Sequence, residues 1–380
     1  MEHISKLPNV ETTIFSIMSG LAKKHNAVNL SQGFPDFGSD QKLIDLVSKA
    51  MNSGCNQYAP MSGNLDLRNA IAHKIESLYN SSYHPEHEIT ITAGATQAIS
   101  TILNTFIKPD DEVIVFKPAY DSYEPGIVLN GGKSIAIQLQ APDFRIDWNE
   151  VEGKVNGQTK MIIINTPHNP TGTVMSKHDM LQLQNITKGT NIIVLSDEVY
   201  EHMIYDGEQH QSICLFPDLK SRSFLVASFC KTFHNTGWRI GYCCASKPLM
   251  DMFMQVHQFS VFCVHHPTQK GIADYMQDPK HYLKLSNFYQ KKRDLFLNLI
   301  KDSRFKFKPS KGTYFQVLDY SEITQENDVD FAKRLTIESG LASIPLSVFN
   351  ENKLDNKVLR FCFAKKDDTL KRAAEILKSI

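Results

Sequence analysis

Ser223-Phe224-Leu225-Val226-Ala227-Ser228-Phe229-Cys230-Lys231-Thr232 is the stretch on which the reading of this chain turns. Phe224 to Ala227 are apolar on consecutive positions. Successive strand side chains point to opposite faces, so such a strand needs cover on both sides. Runs of the same kind recur and predict strands over 89–92, 112–116, 134–139, 161–165, 191–196, 223–228 and 239–245. Helix-length segments at 95–107, 122–129 and 177–186 separate several of them. Strands alternating with helices predict an α/β fold: a three-layer α/β/α large domain with a mostly parallel sheet. A helical stretch over 247–278 is expected to pack on it, and a long helix over 282–301 to lead into a smaller α+β domain. That domain has strands near 313–318 and 358–363 and helices near 329–339 and 366–378. The first forty residues lack sheet patterning and are expected to return to it, giving a large domain over 45–285 and a small one from 1–44 and 286–380.

Bulk composition narrows the function. With 380 residues and 42% hydrophobic content, the chain can fill more than one core. Lys+Arg and Asp+Glu are both 41, so charge gives no reason to expect nucleic acid or an anionic membrane as partner. No apolar run approaches the roughly 18 residues a membrane helix needs, and the opening residues do not read as a signal peptide. The seven cysteines are scattered without a CxxC pair, which suits reduced thiols in a cytoplasmic protein. His265 and His266 are adjacent and cannot easily share one ion, so no metal site is expected there.

In open α/β sheets ligands bind beyond the carboxyl ends of the strands, so the turn after each strand is where chemistry is sought. After 89–92 comes Ala93-Gly94-Ala95-Thr96-Gln97, a small-residue turn opening a helix whose free N–H groups could seat a phosphate. It matches no GxGxxG, and Gly131-Gly132-Lys133-Ser134 lacks the upstream glycine of a Walker A loop, so a nucleotide gains little support. After 161–165, Thr166-Pro167-His168-Asn169-Pro170 fixes Asn169 in a rigid turn, by itself an ordinary Asn-Pro turn. After 191–196, Asp197 could cap a helix or sit under a protonated heterocycle. Lys231 alone would read as a surface cation. Ser228 three residues before it and Arg239 eight after add a hydroxyl and a guanidinium able to grip a phosphate. One cofactor would use all these groups at once: pyridoxal 5'-phosphate (PLP), whose enzymes need a Schiff-base lysine and a carboxylate partner for the pyridinium.

Asn169-Pro170-Thr171-Gly172, Asp197-Glu198-Val199-Tyr200, Ser228-Phe229-Cys230-Lys231-Thr232 and Gly237-Trp238-Arg239-Ile240-Gly241 resemble, in order and spacing, the class I aminotransferases, PLP enzymes of fold type I. The resemblance covers nearly the whole chain. Ser31-Gln32-Gly33-Phe34-Pro35-Asp36-Phe37, Gln57-Tyr58-Ala59-Pro60-Met61, Tyr120-Asp121-Ser122-Tyr123 and Ile344-Pro345-Leu346-Ser347-Val348-Phe349 are most similar to the methionine and kynurenine aminotransferase branch. It implies that Lys231 carries the cofactor and shuttles the proton, and that Asp197 pairs with the pyridinium. It further implies that Asn169 and Tyr200 bond the phenolic oxygen, Tyr120 stacks on the ring, and Ala95, Thr96, Ser228 and Arg239 hold the phosphate. Tyr58 would reach the phosphate of a neighbouring subunit, implying a homodimer with shared active sites. Arg360 would clamp the substrate carboxylate, helped by Asn169 and the backbone near Gly33. Phe15, Phe34, Tyr58, Tyr120 and the partner copy's residues 264 and 265 would line a pocket for methionine, aromatic or other neutral amino acids, with a 2-oxo acid as acceptor. The same lysine would also serve a PLP β-lyase acting on cystathionine or cysteine conjugates. A non-catalytic PLP-domain regulator is disfavoured by the presence of both Lys231 and Arg360.

Overall fold

Isoleucine and valine on adjacent strand positions are stable only where apolar layers lie above and below them. In the computed structural model, which describes residues 5–8 and 10–380, the middle of the chain meets that requirement. Twelve strands are described: β1 (Val28–Asn29), β2 (Ile89–Thr92), β3 (Glu112–Lys117), β4 (Lys133–Gln138), β5 (Thr159–Asn165), β6 (Ile193–Asp197), β7 (Ser223–Ser228), β8 (Gly241–Cys244), β9 (Phe315–Asp319), β10 (Leu341–Ala342), β11 (Ile344–Pro345) and β12 (Val358–Cys362). β2 to β8 form one seven-stranded sheet in the order β2-β8-β7-β6-β5-β3-β4, parallel except for β8, which runs antiparallel to both neighbours.

The alternation of side chains divides this sheet between two cores. On β3, Val113 and Val115 face one layer while Ile114 and Phe116 face the other. On β5, Met161 and Ile163 join the first pair, and Ile162 and Ile164 the second. Helices Ala95–Phe106, Tyr123–Leu129 and Lys247–Ser260 cover one face. Helices Gln41–Asn52, Leu65–Tyr79, Lys177–Thr187 and His266–Tyr275 cover the other. The sheet is thus the middle of three layers. A further core gathers helices Ile14–Lys24, Leu285–Ile300, Asp328–Glu338 and Asp367–Ser379 around the antiparallel sheet β11-β12-β9.

Four sequence expectations differ from the structure. The strand expected from 239 begins at Gly241, because Arg239 is left-handed (φ 52) and ends a short 3-10 turn. The helix expected over 247–278 is two helices, broken around Phe262 (φ 63). The long helix expected from 282 starts at Leu285, after a separate turn at Lys280–Leu283. Within the first forty residues, β1 does pair, parallel to β10. Two residues are too few to leave an alternating pattern in the sequence.

Beneath the strand ends lies a buried ionic knot. Glu201 accepts from Lys74 through Oε1 and from the Tyr79 hydroxyl through Oε2 at 2.8 Å, with the Tyr242 hydroxyl 3.2 Å from Oε1. Burial alone pushes Glu201 up, but Lys74 and the nearby histidines more than offset it and bring it down to about 2. Its stabilising contribution is therefore present above the ordinary carboxylate range and lost as pH falls through about 2. Lys74→Met, which strands this carboxylate, is expected to destabilise the protein by about 3–5 kcal/mol in urea unfolding at neutral pH. Adding Glu201→Gln should recover part of that loss, and equal stability of the single variant and wild type would contradict the reading.

Candidate active site

Every turn singled out in the sequence follows a sheet strand, and the parallel order delivers those turns to one edge. There a cavity of about 270 Å³ is lined by Phe15, Gly33, Ala95, Thr96, Tyr120, Asn169, Asp197, Tyr200, Ser228, Lys231, Arg239 and Arg360, together with Gln32, Ile99, Asn165, Val199, Cys230 and Phe315. The first twelve were expected from sequence. Tyr58 does not line the cavity of its own chain; it is 78% exposed and meets Phe262 edge-on at 5.0 Å. Phe34 also departs from expectation. Its carbonyl accepts from the Lys365 ammonium at 2.8 Å, and its ring stays beside that ammonium at the surface.

At the carboxyl end of β7, Lys231 sits in a single helical turn, Phe229–Thr232. Its Nζ donates to the Gly33 carbonyl at 3.1 Å and to the Tyr314 hydroxyl at 2.9 Å. Burial, together with the positive fields of Arg360 and Arg239, brings the amine down to about 8. Asp197, the last residue of β6, accepts from the Tyr123 hydroxyl at 2.6 Å and from the Val199 N–H at 3.3 Å. Among the described residues it forms no ion pair, and burial pushes its carboxyl up to about 6. Asn165 fixes both neighbours of this site: its Nδ2 donates to the Asp197 carbonyl and its Oδ1 accepts the Asn169 N–H, each at 2.8 Å.

Arg360 lies in the middle of β12 with only 1% of its surface exposed. It donates to Asn169 Oδ1 at 2.8 Å and to the Ser31 carbonyl at 3.0 Å, and stacks over Phe315 at 3.9 Å. Among the described residues its Nε has no partner and no carboxylate pairs with it. A buried guanidinium with spare donors suits a bidentate anion. Across the cavity, helix Ala95–Phe106 begins at Gly94 without a side-chain cap, leaving the first N–H groups free. A Cβ at Gly94 would stand 2.7 Å from Nη2 of Arg239, so glycine is what lets this guanidinium close on the helix start. Gly94 (φ +80) also adopts a backbone conformation that other residues rarely take.

Sequence reasoning passed over Tyr123, Tyr314 and Asn165. Tyr123 lay in a motif quoted only for its likeness, Tyr314 in a predicted strand, and Asn165 at a strand end. A polar residue closing an otherwise apolar strand was the available signal for Asn165.

Comparison with known proteins fixes the class. The profile of the family "aminotransferase class I and II" matches residues 25–377. A methionine aminotransferase of Escherichia coli is 45% identical over 377 residues, covering 99% of this chain and 98% of that protein. Its crystal structure superposes with a TM-score of 0.98 over the full length of both chains. An N-succinyldiaminopimelate aminotransferase structure from Mycobacterium tuberculosis gives a TM-score of 0.95 at 33% identity, covering 100% of each chain. A human kynurenine–oxoglutarate transaminase is 31% identical, covering 98% of this chain and 89% of that protein. The architecture is that of the fold type I transferases. The chain belongs to the class I and II aminotransferases, enzymes that move amino groups.

A carboxyl raised to about 6 binds protons more readily in the folded than in the unfolded protein between roughly pH 4 and 6. Stability in the absence of a bound cation therefore falls as pH rises through that window. Asp197→Asn is expected to flatten this dependence, gaining about 2 kcal/mol relative to wild type at pH 7 compared with pH 4 in urea unfolding of the cofactor-free protein. An unchanged pH dependence would show that Asp197 is not the strained carboxylate.

Proposed function

We propose that this enzyme uses PLP held at Lys231 to transfer the amino group of methionine, aromatic or other neutral L-amino acids to a 2-oxo acid, in two half-reactions of ping-pong type. The observation that carries the reading is the convergence on one cavity of a buried amine, a carboxylate and a guanidinium, the last two forming no ion pair among the described residues.

The residues present fit PLP. Asp197 would hold the pyridine nitrogen protonated, a role that supplies the missing cation beside it. The free N–H groups of Ala95 and Thr96, with Ser228 and Arg239, would bind the phosphate. Asn169 and Tyr200 would bond the phenolic oxygen, and Tyr120 would lie against the ring. When bound, PLP supplies an aldehyde carbon that combines with amines and a ring that takes up the electron pair left as Cα loses its proton. Arg360, held in direction by Asn169 and the Ser31 carbonyl, would receive the substrate carboxylate in a bidentate pair, helped by Asn169 and the backbone near Gly33. The Lys231 amine, brought down to about 8, gives up its proton near neutral pH more readily than an ordinary lysine, and would take the Cα proton and return it.

Charge supports the choice of substrate. The cavity's cations are Lys231, Arg239 and Arg360, which leaves none among the lining residues for a side-chain carboxylate. Phe15, Tyr120, Val199 and Phe315 offer apolar and aromatic surface instead. Two of the three relatives reported above, the methionine and kynurenine aminotransferases, are named for a neutral side chain, while the N-succinyldiaminopimelate aminotransferase is not. We also propose a homodimer in which Tyr58 serves the partner copy's phosphate. Its exposure, with that of Phe259 and Phe262, supports a surface that is covered in the assembly. Free thiols at all seven cysteines support a cytoplasmic setting.

Incubation with methionine and a 2-oxo acid should yield the methionine-derived 2-oxo acid and the new amino acid in equal amounts. Cystathionine without an acceptor should give neither pyruvate nor ammonia. Arg360→Ala should raise the KM for methionine about 100-fold or more, since it removes a buried charge partner of the substrate. Pyruvate and ammonia from cystathionine, with no transfer from methionine, would replace this reading by that of a β-lyase.

A further inference from the structure

Tyr314 and Phe315 are consecutive, yet they touch the two ends of the candidate active site. The Tyr314 hydroxyl accepts from Lys231 Nζ at 2.9 Å and itself donates to the Gly33 carbonyl, which Lys231 also reaches at 3.1 Å. The Phe315 ring lies 3.9 Å from the Arg360 guanidinium carbon. Gly33 closes on the pair so tightly that an added Cβ would meet the Phe315 ring at 2.9 Å.

The backbone that presents this dipeptide is strained. Thr313 is β-branched yet adopts φ 63, a region such residues rarely enter. Its N–H donates to Met203 at 2.9 Å, its carbonyl accepts from the Tyr205 hydroxyl, and its own hydroxyl takes the Phe315 N–H at 3.1 Å. Every polar group of Thr313 is thus engaged in holding a conformation it would not choose. Gly312 before it is confined as well, since a Cβ there would meet Pro167 at 2.6 Å.

We infer that Tyr314 is a positioning residue for the reaction: its hydroxyl holds the free Lys231 amine in reach of the substrate, while Phe315 sets the carboxylate clamp at a fixed distance from it. The assignment rests on the proposed role of Lys231 and adds to it a partner on the β9 side of the cavity. The other titratable or charged groups facing Lys231 are Tyr200 and Asp197 from the β6 end, Arg239 ahead of β8, Cys230 beside it, and Arg360 and Cys362 on β12. Among these, the arginines disfavour the ammonium and the cysteines favour it. The Tyr314 oxygen and the Gly33 carbonyl are the acceptors hydrogen-bonded to Nζ among the described residues.

Tyr314→Phe removes one oxygen and keeps the ring. In the full-length protein freed of PLP, the pH midpoint for acylation of Lys231, read by competitive labelling and mass spectrometry, should fall by about one unit relative to wild type. In the PLP-loaded enzyme kcat should fall about tenfold while the KM for methionine stays within about twofold, because the clamp is untouched. Phe315→Leu should do the reverse, raising KM and leaving the labelling midpoint in place. A merely structural tyrosine would move neither midpoint nor pH profile, so coincident midpoints for wild type and Tyr314→Phe overturn the assignment. The two levels fail separately. If wild-type Lys231 takes up no PLP, the proposed function falls and this assignment with it. If it takes up PLP and the midpoints coincide, the assignment to Tyr314 alone falls.

Discussion

Taking a charge out of water is the constraint around which this molecule is arranged. Lys231, Asp197 and Arg360 all line one cavity, and each meets neutral hydrogen-bonding groups in place of an opposite charge, with donors of Arg360 left over. Burial moves each of them toward its neutral form. A protein that only needed stability would do better with apolar residues at these positions. Their presence makes sense if the missing charges belong to a ligand: an anion for Arg360, a cation for Asp197, and an electrophile for the Lys231 amine. A low-dielectric cavity also strengthens each of those contacts once formed.

Holding such groups apart requires rigid supports. The parallel sheet brings the ends of β5, β6 and β7 to one edge, and the helix after β2 turns its amino end toward the same place. Asn165, at the end of β5, ties Asn169 to Asp197 through two hydrogen bonds. Below, the knot of Lys74, Glu201, Tyr79 and Tyr242 anchors the segment that carries Asp197 and Tyr200. The opposite wall comes from the other core, where β9 and β12 supply Phe315 and Arg360. Two cores meeting at the cavity allow the carboxylate clamp and the amine to approach a substrate from different sides.

How much of this was legible in the sequence depended on whether a residue's role is set by its own strand. Strands covered on both faces announce themselves through consecutive apolar residues, so 89–92 and 223–228 coincide with β2 and β7, and the others agree within two residues. Lys231, Asp197, Asn169 and the Ala95 turn stood out because each lies at or just after the end of a strand, where parallel topology puts ligands. Tyr123 and Tyr314 could not be found that way. Their hydroxyls meet Asp197 and Lys231 across 74 and 83 residues, and a tyrosine in a helix or strand otherwise reads as core. The two-residue pairing of β1 with β10 is too short to leave a pattern, and the turn at Arg239 is set by its approach to Gly94. Phe34 was misplaced because its neighbour in space, Lys365, lies 331 residues away in sequence.

The central claim is that Lys231 is the amine on which PLP is carried. Borohydride reduction of the PLP-loaded, full-length protein, followed by digestion and mass spectrometry, tests it directly. The account predicts a single pyridoxyl-modified peptide, with the added mass on Lys231. A modification on any other lysine, or none at all, would contradict it.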